Sequence, residues 1–129
     1  MIKEFISPNV RQTVFAANRL PLYVSLPSYI ICNLDPDHLP GSHWIAIYIS
    51  ESGYGEYFDS FGRRPTGSHL KFLKRNNKQF TFNNLRIQND FTSVCGKYCI
   101  VYLYFKYRKC STNYYLSMFD CNRTFSMIL

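Results

Sequence analysis

The sequence predicts an α+β domain, and three observations carry that reading. Two apolar runs of strand length, "YIICNL" (29–34) and "HWIAIYIS" (43–50), lie in the first half of the chain. A later run, "VCGKYCIVYLYFKY" (94–107), is apolar nearly all round and long enough to favour a helix buried on most sides. Clusters of turn formers, "DPDHLPGS", "ESGYG" and "GRRPTGS", punctuate the chain between the early segments.

Taken in order, residues 1–20 read as a short helical or irregular arm ended by Pro21. "YIICNL" is compact and β-branched, as a buried strand should be. "HWIAIYIS" alternates and is rich in Ile and Tyr. Across the "ESGYG" turn, "EYFDSF" (56–61) supplies a second strand, so the pair forms a hairpin. "HLKFLKRNNK" (69–78) places Leu70, Phe72 and Leu73 among basic residues and suits a short surface helix. "FTFNNLRIQN" (80–89) holds another strand near "LRI". The helix over 94–107 follows, with Thr92 and Ser93 as natural N-caps, and a last helical piece runs through "TNYYLSMFD".

At 129 residues the chain suits one domain, spanning 1–129, with a single core. Hydrophobic residues are 47% and aromatic residues 18%, with eleven Tyr and eleven Phe, which excludes a disordered chain and predicts a ring-rich core. No apolar run reaches the length of a membrane span, and "MIKEFISPNV" lacks a secretory apolar region. The expectation is a soluble, intracellular, monomeric protein without membrane contact. Five cysteines, Cys32, Cys95, Cys99, Cys110 and Cys121, make an odd set that argues for reduced thiols over a disulfide framework. There is no CxxC pair, and His38, His43 and His69 do not stand at finger spacing, so neither a metal nor a cofactor is expected. "NRT" at 122–124 matches a glycosylation acceptor by chance.

The net charge is +7, and Arg63, Arg64, Lys71, Lys74, Arg75 and Lys78 cluster within 63–78. Such a field attracts polyanions or acidic partners. No aromatic-interleaved nucleic-acid motif accompanies it, so DNA binding through 63–78 would be nonspecific and accessory.

Four chemically capable residues stand in chain order. His43 precedes Trp44 at a strand start, and Asp59 lies near the end of the neighbouring strand. Gln88 lies seven residues before Cys95, and Cys95–Gly96 opens the apolar helix. A free thiol near pKa 8.5 holds too little thiolate at neutral pH. A helix N-terminus and a contacting imidazole both stabilise the anion. The imidazole also protonates a leaving amine, and a carboxylate on its far side fixes its tautomer. Gln88 would offer an amide N–H to an oxyanion beside the backbone N–H of Cys95. Gly96 would let a substrate backbone approach the sulfur. The set describes a cysteine hydrolase.

His43–Trp44, the "FDSFG" around Asp59, Gln88 and Cys95–Gly96 resemble adenain, the adenovirus-type cysteine protease family, and the related Ulp-type SUMO proteases. The seven-residue separation of Gln88 from Cys95 and the "FG" after the acid look more like the adenain branch, as encoded by DNA viruses and virus-like transposons. The likeness covers roughly residues 15 to 108. It implies a papain-like α+β fold in which a small mixed sheet packs on the central helix bearing the nucleophile. It also implies endopeptidase action on virion or capsid precursor polypeptides, often at Gly-containing sites, in a host nucleus, cytoplasm or virion. Carried over, Cys95 is nucleophile, His43 general base and acid, Asp59 the orienter, Gln88 the oxyanion donor, and Trp44 packs beside them.

This chain is shorter than typical members, so substrate-binding loops are expected to be reduced. The adenovirus enzyme uses DNA and a disulfide-linked peptide as activators. With no cysteine between Cys32 and Cys95, the matching covalent attachment is not expected, while the basic 63–78 region leaves DNA stimulation open. The rival enzymatic readings are an isopeptidase removing a ubiquitin-like modifier, with the same catalytic residues, and an acetyl transferase of the same clan. The rival of another class is a non-catalytic basic DNA- or protein-binding module.

Overall fold

Alternation along three strands sets the architecture. A computed structural model of the chain describes residues 14–35, 38, 43–88 and 95–119. Within them β1 (Val14–Phe15), β2 (Ser28–Asn33), β3 (Trp44–Ile49), β4 (Tyr54–Phe58) and β5 (Gln79–Phe82) form one sheet in the order β1-β2-β3-β4-β5. The inner pairs β2–β3 and β3–β4 are antiparallel, and the edge strands β1 and β5 run parallel to their neighbours. Successive strand residues point to opposite faces. Tyr29, Ile31, Ala46 and Phe58 therefore share a cluster with Cys99, Tyr102, Leu103 and Tyr115. Ile30, Cys32, Ile45, Ile47, Ile49 and Tyr57 pack with Phe72 and Leu73 instead.

Helix α1 (Gly67–Asn76) thus covers one face, and α2 (Cys95–Tyr107) with α3 (Thr112–Ser117) covers the other. A strand buried on both faces needs apolar residues at every position, which is why "YIICNL" reads as a continuous run. Helix α1 also makes the crossover that parallel pairing of β4 and β5 requires.

Three expectations change. The second hairpin strand runs from Tyr54 to Phe58 rather than 56–61. Gly53, at φ +91°, makes the turn early, with its N–H on the Ser50 carbonyl at 3.0 Å. At the other end Asp59 leaves the ladder, its carbonyl accepting from Gly62 N–H at 2.8 Å.

The strand expected near "LRI" is absent, since β5 ends at Phe82 and residues 83–88 follow an irregular path. Their backbone is held by other means. Ile87 and Gln88 both donate N–H to the Ser60 carbonyl, at 2.8 and 3.0 Å.

Helix α2 is not buried on most sides. Cys95, Cys99, Tyr102, Leu103 and Lys106 form one buried stripe at helical spacing, while Val101 (43%) and Tyr104 (37%) are exposed. The apolar composition misled because a tyrosine can carry ring surface into water behind its hydroxyl. Lys106 is the converse: a buried cation, paired with Glu56 at 3.1 Å across to β4. Tyr102 donates to the same carboxylate at 2.8 Å, and the Thr112 hydroxyl joins them.

The helix 69–78 and the final helical piece are present as Gly67–Asn76 and Thr112–Ser117. The 1–20 arm is described only from Val14, where it forms β1 and a 3-10 turn, Ala17–Arg19. The proposed caps Thr92 and Ser93 lie outside the described residues.

The one-stripe reading of α2 is testable. Leu103→Ala should cost about 2–5 kcal/mol in urea denaturation, whereas Val101→Ala should stay within about 0.5 kcal/mol. Equal losses at both positions would contradict it.

Candidate active site

The open end of the β3–β4 hairpin, opposite the Gly53 turn, carries the first pair. Ala46 faces Phe58, so three positions further along the same register Phe61 comes opposite His43, with Asp59 two residues before it. His43 Nε2 lies 2.6 Å from Asp59 Oδ1, with both side chains buried. The imidazole stacks on Phe61, with ring centroids 4.7 Å apart. The Phe61 N–H donates to the same Asp59 oxygen at 2.9 Å, and Arg63 Nε donates to Oδ2 at 3.2 Å. Burial pushes the Asp59 carboxyl up. The His43 hydrogen bond, the Phe61 N–H and the charges of His43 and Arg63 outweigh it and hold the group below its ordinary value. With Nε2 committed to Asp59, Nδ1 is the ring nitrogen left to work on a thiol.

Cys95 reaches this end through α2. A Cβ added at Gly96 would meet Trp44 Cδ1 at 3.8 Å, so the first turn of the helix rests on the residue after His43. Cys99, one turn further, donates its thiol to the Trp44 carbonyl at 3.4 Å. Trp44 thus packs at the site's edge as expected. Cys95 is buried and opens the helix, where backbone N–H groups lack intrahelical partners. Cys99 is fully enclosed, and burial drives its thiol well above the ordinary range, with the charges of Cys95 and Asp59 adding to the effect.

Gln88 is tied to the same corner. Ser60 Oγ donates to Gln88 Oε1 at 2.6 Å, and Gln88 N–H returns to the Ser60 carbonyl at 3.0 Å. Because Oε1 accepts from Ser60, the amide nitrogen is the donor end of the side chain. Asn83 clamps the corner from below, accepting from Asp59 N–H at 2.9 Å and donating to the Asp59 carbonyl at 2.7 Å. Gly62 is required here: its φ is +74°, and a Cβ would stand 3.1 Å from the backbone of 84–86.

Sequence reasoning missed Ser60 and Asn83. The only signal was a small polar residue directly after the acid.

Of the four residues singled out in the sequence, His43 and Asp59 are in direct contact, Gln88 is bonded to Ser60 beside them, and Cys95 opens the helix whose first turn lies against Trp44.

A cysteine–histidine contact lies elsewhere, in the core. Cys32 Sγ is 3.2 Å from His69 Nε2, between β2 and α1, and both atoms also reach the Asn33 carbonyl, at 3.4 and 3.1 Å. Cys32 has no exposed surface, and burial pushes its thiol up to about 12. Burial also lowers His69, partly offset by its bond to Asn33. A neutral thiol and a neutral imidazole sealed in the core suit packing rather than attack on a peptide. Cys32, Cys95, Cys99 and Cys110 are free thiols, and no group of three or more metal-ligating side chains occurs among the described residues. No helix among them is long and apolar enough to cross a membrane.

No family model matches the sequence. The chain is similar to a cysteine protease of African swine fever virus, 28% identical over 100 residues, covering 67% of this chain and 36% of that protein. Crystal structures of that viral protease match the fold. The selenomethionine form superposes with a TM-score of 0.57 at 26% identity, and a second structure with 0.55 at 25%; each match covers 70% of this chain and 38% of the other. The chain therefore spans little more than a third of the relatives it matches. The fold is α+β and papain-like, of the Ulp kind, with its sheet packed on the helix that Cys95 opens.

The Asp59 environment predicts an acid-dependent contribution to stability. A carboxyl held below its unfolded value of about 3.9 stabilises the fold above that pH and loses the contribution as pH falls through the lower folded value. In urea denaturation, the stability difference between wild type and Asp59→Asn should be constant above about pH 5 and shrink below about pH 4. A difference unchanged down to about pH 2 would contradict the pairing.

Proposed function

We propose that the chain is a cysteine endopeptidase acting on polypeptide precursors, with Cys95 as nucleophile, His43 as general base and acid, Asp59 as orienter and Gln88 as oxyanion donor. One observation carries the reading: the 2.6 Å His43–Asp59 pair stands at the strand end on which the Cys95-bearing turn of α2 packs. The similarity to a viral cysteine protease supports a protease over a non-catalytic binding module.

The thiol proton passes to His43 Nδ1 as Cys95 Sγ attacks the scissile carbonyl carbon. The oxyanion is met by the Gln88 amide N–H and the Cys95 backbone N–H. The imidazolium then gives its proton to the leaving amine as the C–N bond breaks, leaving a thioester. Water, deprotonated by His43, attacks that thioester, releases the acid and restores the thiol. Asp59 remains a carboxylate throughout and holds the ring so that Nδ1 faces the sulfur.

The whole of 1–129 serves as one protease domain in this reading, built on a single sheet with two helical layers. DNA contact is the weaker element. Within the basic region, Arg63 is engaged by Asp59, Arg64 lies over Phe82, and Arg75 donates to the Leu22 carbonyl. Lys71, Lys74 and Lys78 are exposed and supply a nonspecific charge only.

Two expectations test the proposal. Incubated with Gly-containing precursor peptides and, separately, with ubiquitin-like conjugates, the protein should cleave the peptides, and Cys95→Ala should abolish cleavage. Release of the modifier without peptide cleavage would transfer the site to the isopeptidase reading. Ser60→Ala should lower kcat by up to about 100-fold through a misplaced Gln88, with KM little changed and Ser60→Thr partly restoring the rate. A loss confined to KM would contradict that positioning role.

A further inference from the structure

The outer side of α1 is cationic. Helical spacing sets Lys71, Lys74 and Arg75 together, opposite the buried stripe of His69, Phe72 and Leu73. Lys78 follows just past the helix end and lines a cavity with Lys74. Among the described residues, the carboxylates that form ion pairs form them elsewhere: Asp59 with His43 and Arg63, and Glu56 with Lys106. Asp35 lies by the first turn of α1, where the Ala17 N–H meets its carbonyl and Ser68 donates to the Ala17 carbonyl. Glu51 is in the hairpin turn whose Gly53 carbonyl accepts the Lys78 N–H, and no ion pair joins Glu51 to Lys78. Arg75 gives one N–H to the Leu22 carbonyl, a neutral partner that leaves its charge in place.

That carbonyl belongs to a strap, residues 20–27, pinned to the end of the helix. Arg75 Nε and Asn76 Nδ2 donate to it at 2.8 and 2.9 Å, and the Val24 N–H donates to Asn76 Oδ1 at 3.1 Å. Leu20 and Val24 turn inward to the cluster of Phe72 and Leu73. Leu22 and Tyr23 do not. At 67% and 70% they are the most exposed large apolar side chains among the described residues. A lone exposed leucine needs no explanation. An adjacent Leu–Tyr pair, held in place beside unpaired cations, does.

From this placement we propose that the strap and the outer side of α1 form a peripheral docking surface for an anionic lipid bilayer. Leucine enters the acyl boundary, tyrosine sits at headgroup level, and the Lys and Arg heads meet the lipid phosphates. Each such cation tightens binding to an anionic leaflet by about fivefold. Leu22 and Tyr23 stand outside the cavity that Lys74 and Lys78 share, so the pair is presented to a partner that supplies the apolar phase itself. A nucleic acid would use the cations and gain nothing from Leu22. The contact is reversible and crosses no bilayer. The sequence expectation of no membrane contact rested on the lack of a long apolar run, and residues 22–23 and 71–78 meet only in the fold. Helix α2, with Cys95, covers the opposite face of the sheet, so the proposal is independent of the protease reading.

The test is cosedimentation of the whole chain with phosphatidylcholine vesicles, with and without about 30 mol% phosphatidylserine. Binding to the anionic vesicles should be at least about tenfold tighter than to the neutral ones, and should weaken at about 0.5 M salt. Leu22→Ser combined with Tyr23→Ser should weaken it by about tenfold, and Lys71→Gln combined with Lys74→Gln by about 25-fold. Arg108→Gln, which removes an exposed cation just past the end of α2, should leave it unchanged. All these positions are exposed, and matching thermal unfolding curves establish that the variants fold.

No sedimentation with the anionic vesicles overturns the proposal. Binding undiminished by loss of Leu22 and Tyr23 overturns it too, because adsorption of charge alone then accounts for the contact. So does an equal loss in Arg108→Gln. Binding to a DNA duplex or an acidic protein without binding to vesicles gives the cations to that partner and overturns the lipid surface.

Discussion

The Asp59–Ser60 corner is the constraint on which the site depends. The chain leaves β4 there and turns back under the end of the sheet. The Asp59 carboxylate takes His43, the Phe61 N–H and Arg63, and its backbone is clamped on both sides by Asn83. The Ser60 carbonyl accepts two N–H groups from 87–88, and its hydroxyl holds the Gln88 amide. Two adjacent residues therefore orient both His43 and Gln88, the proposed general base and oxyanion donor. Buried polar groups of this kind are costly when any partner is missing and rigid when all are present. A dipeptide with both functions couples groups that lie far apart in sequence.

The remaining contribution is that of the layers. A helix can hold a thiol against a strand end only if its axis is fixed, and α2 is fixed at both ends of its buried stripe. At the start, Gly96 and Cys99 rest on Trp44. At the far end, Lys106 and Tyr102 converge on Glu56 of β4. Between them, the Tyr102 ring stacks on Phe58 at 4.6 Å, the last residue before the corner. Packing of this density transmits position from the core to the site with little slack.

Much of this was legible in the sequence, and the legible parts share a cause. Strand β2 follows from a continuous apolar run, β3 from an Ile- and Tyr-rich alternation, and helix α2 from run length. The four candidate residues stand out as an ordered set, His43, Asp59 and Cys95 beside the ends of regular elements and Gln88 in the irregular segment between β5 and α2. What was not legible involves side chains binding distant backbone. Asn83 replaces ladder pairing by clamping Asp59, so the 83–88 segment looks like a strand in composition and is not one. Ser60 acts on a residue 28 positions away, and no local pattern records that. The exposed side of α2 was hidden because tyrosine counts as apolar in a periodicity argument and can still face water. The cations of α1 read as part of a general basic cluster until the fold brought Leu22 and Tyr23 beside them.

The central claim is that the imidazole held by Asp59 acts on the sulfur of Cys95. The most direct measurement is the alkylation rate of each cysteine by low-dose iodoacetamide across pH 5 to 9, about the span over which an ordinary thiol ionises, in wild type and in His43→Ala. The account predicts that Cys95 alone reacts rapidly at about pH 6 in wild type, and that His43→Ala returns it to the slow, rising profile of an ordinary thiol. A Cys95 profile unchanged by His43→Ala, or equal slow reaction at every cysteine of the wild type, would contradict it.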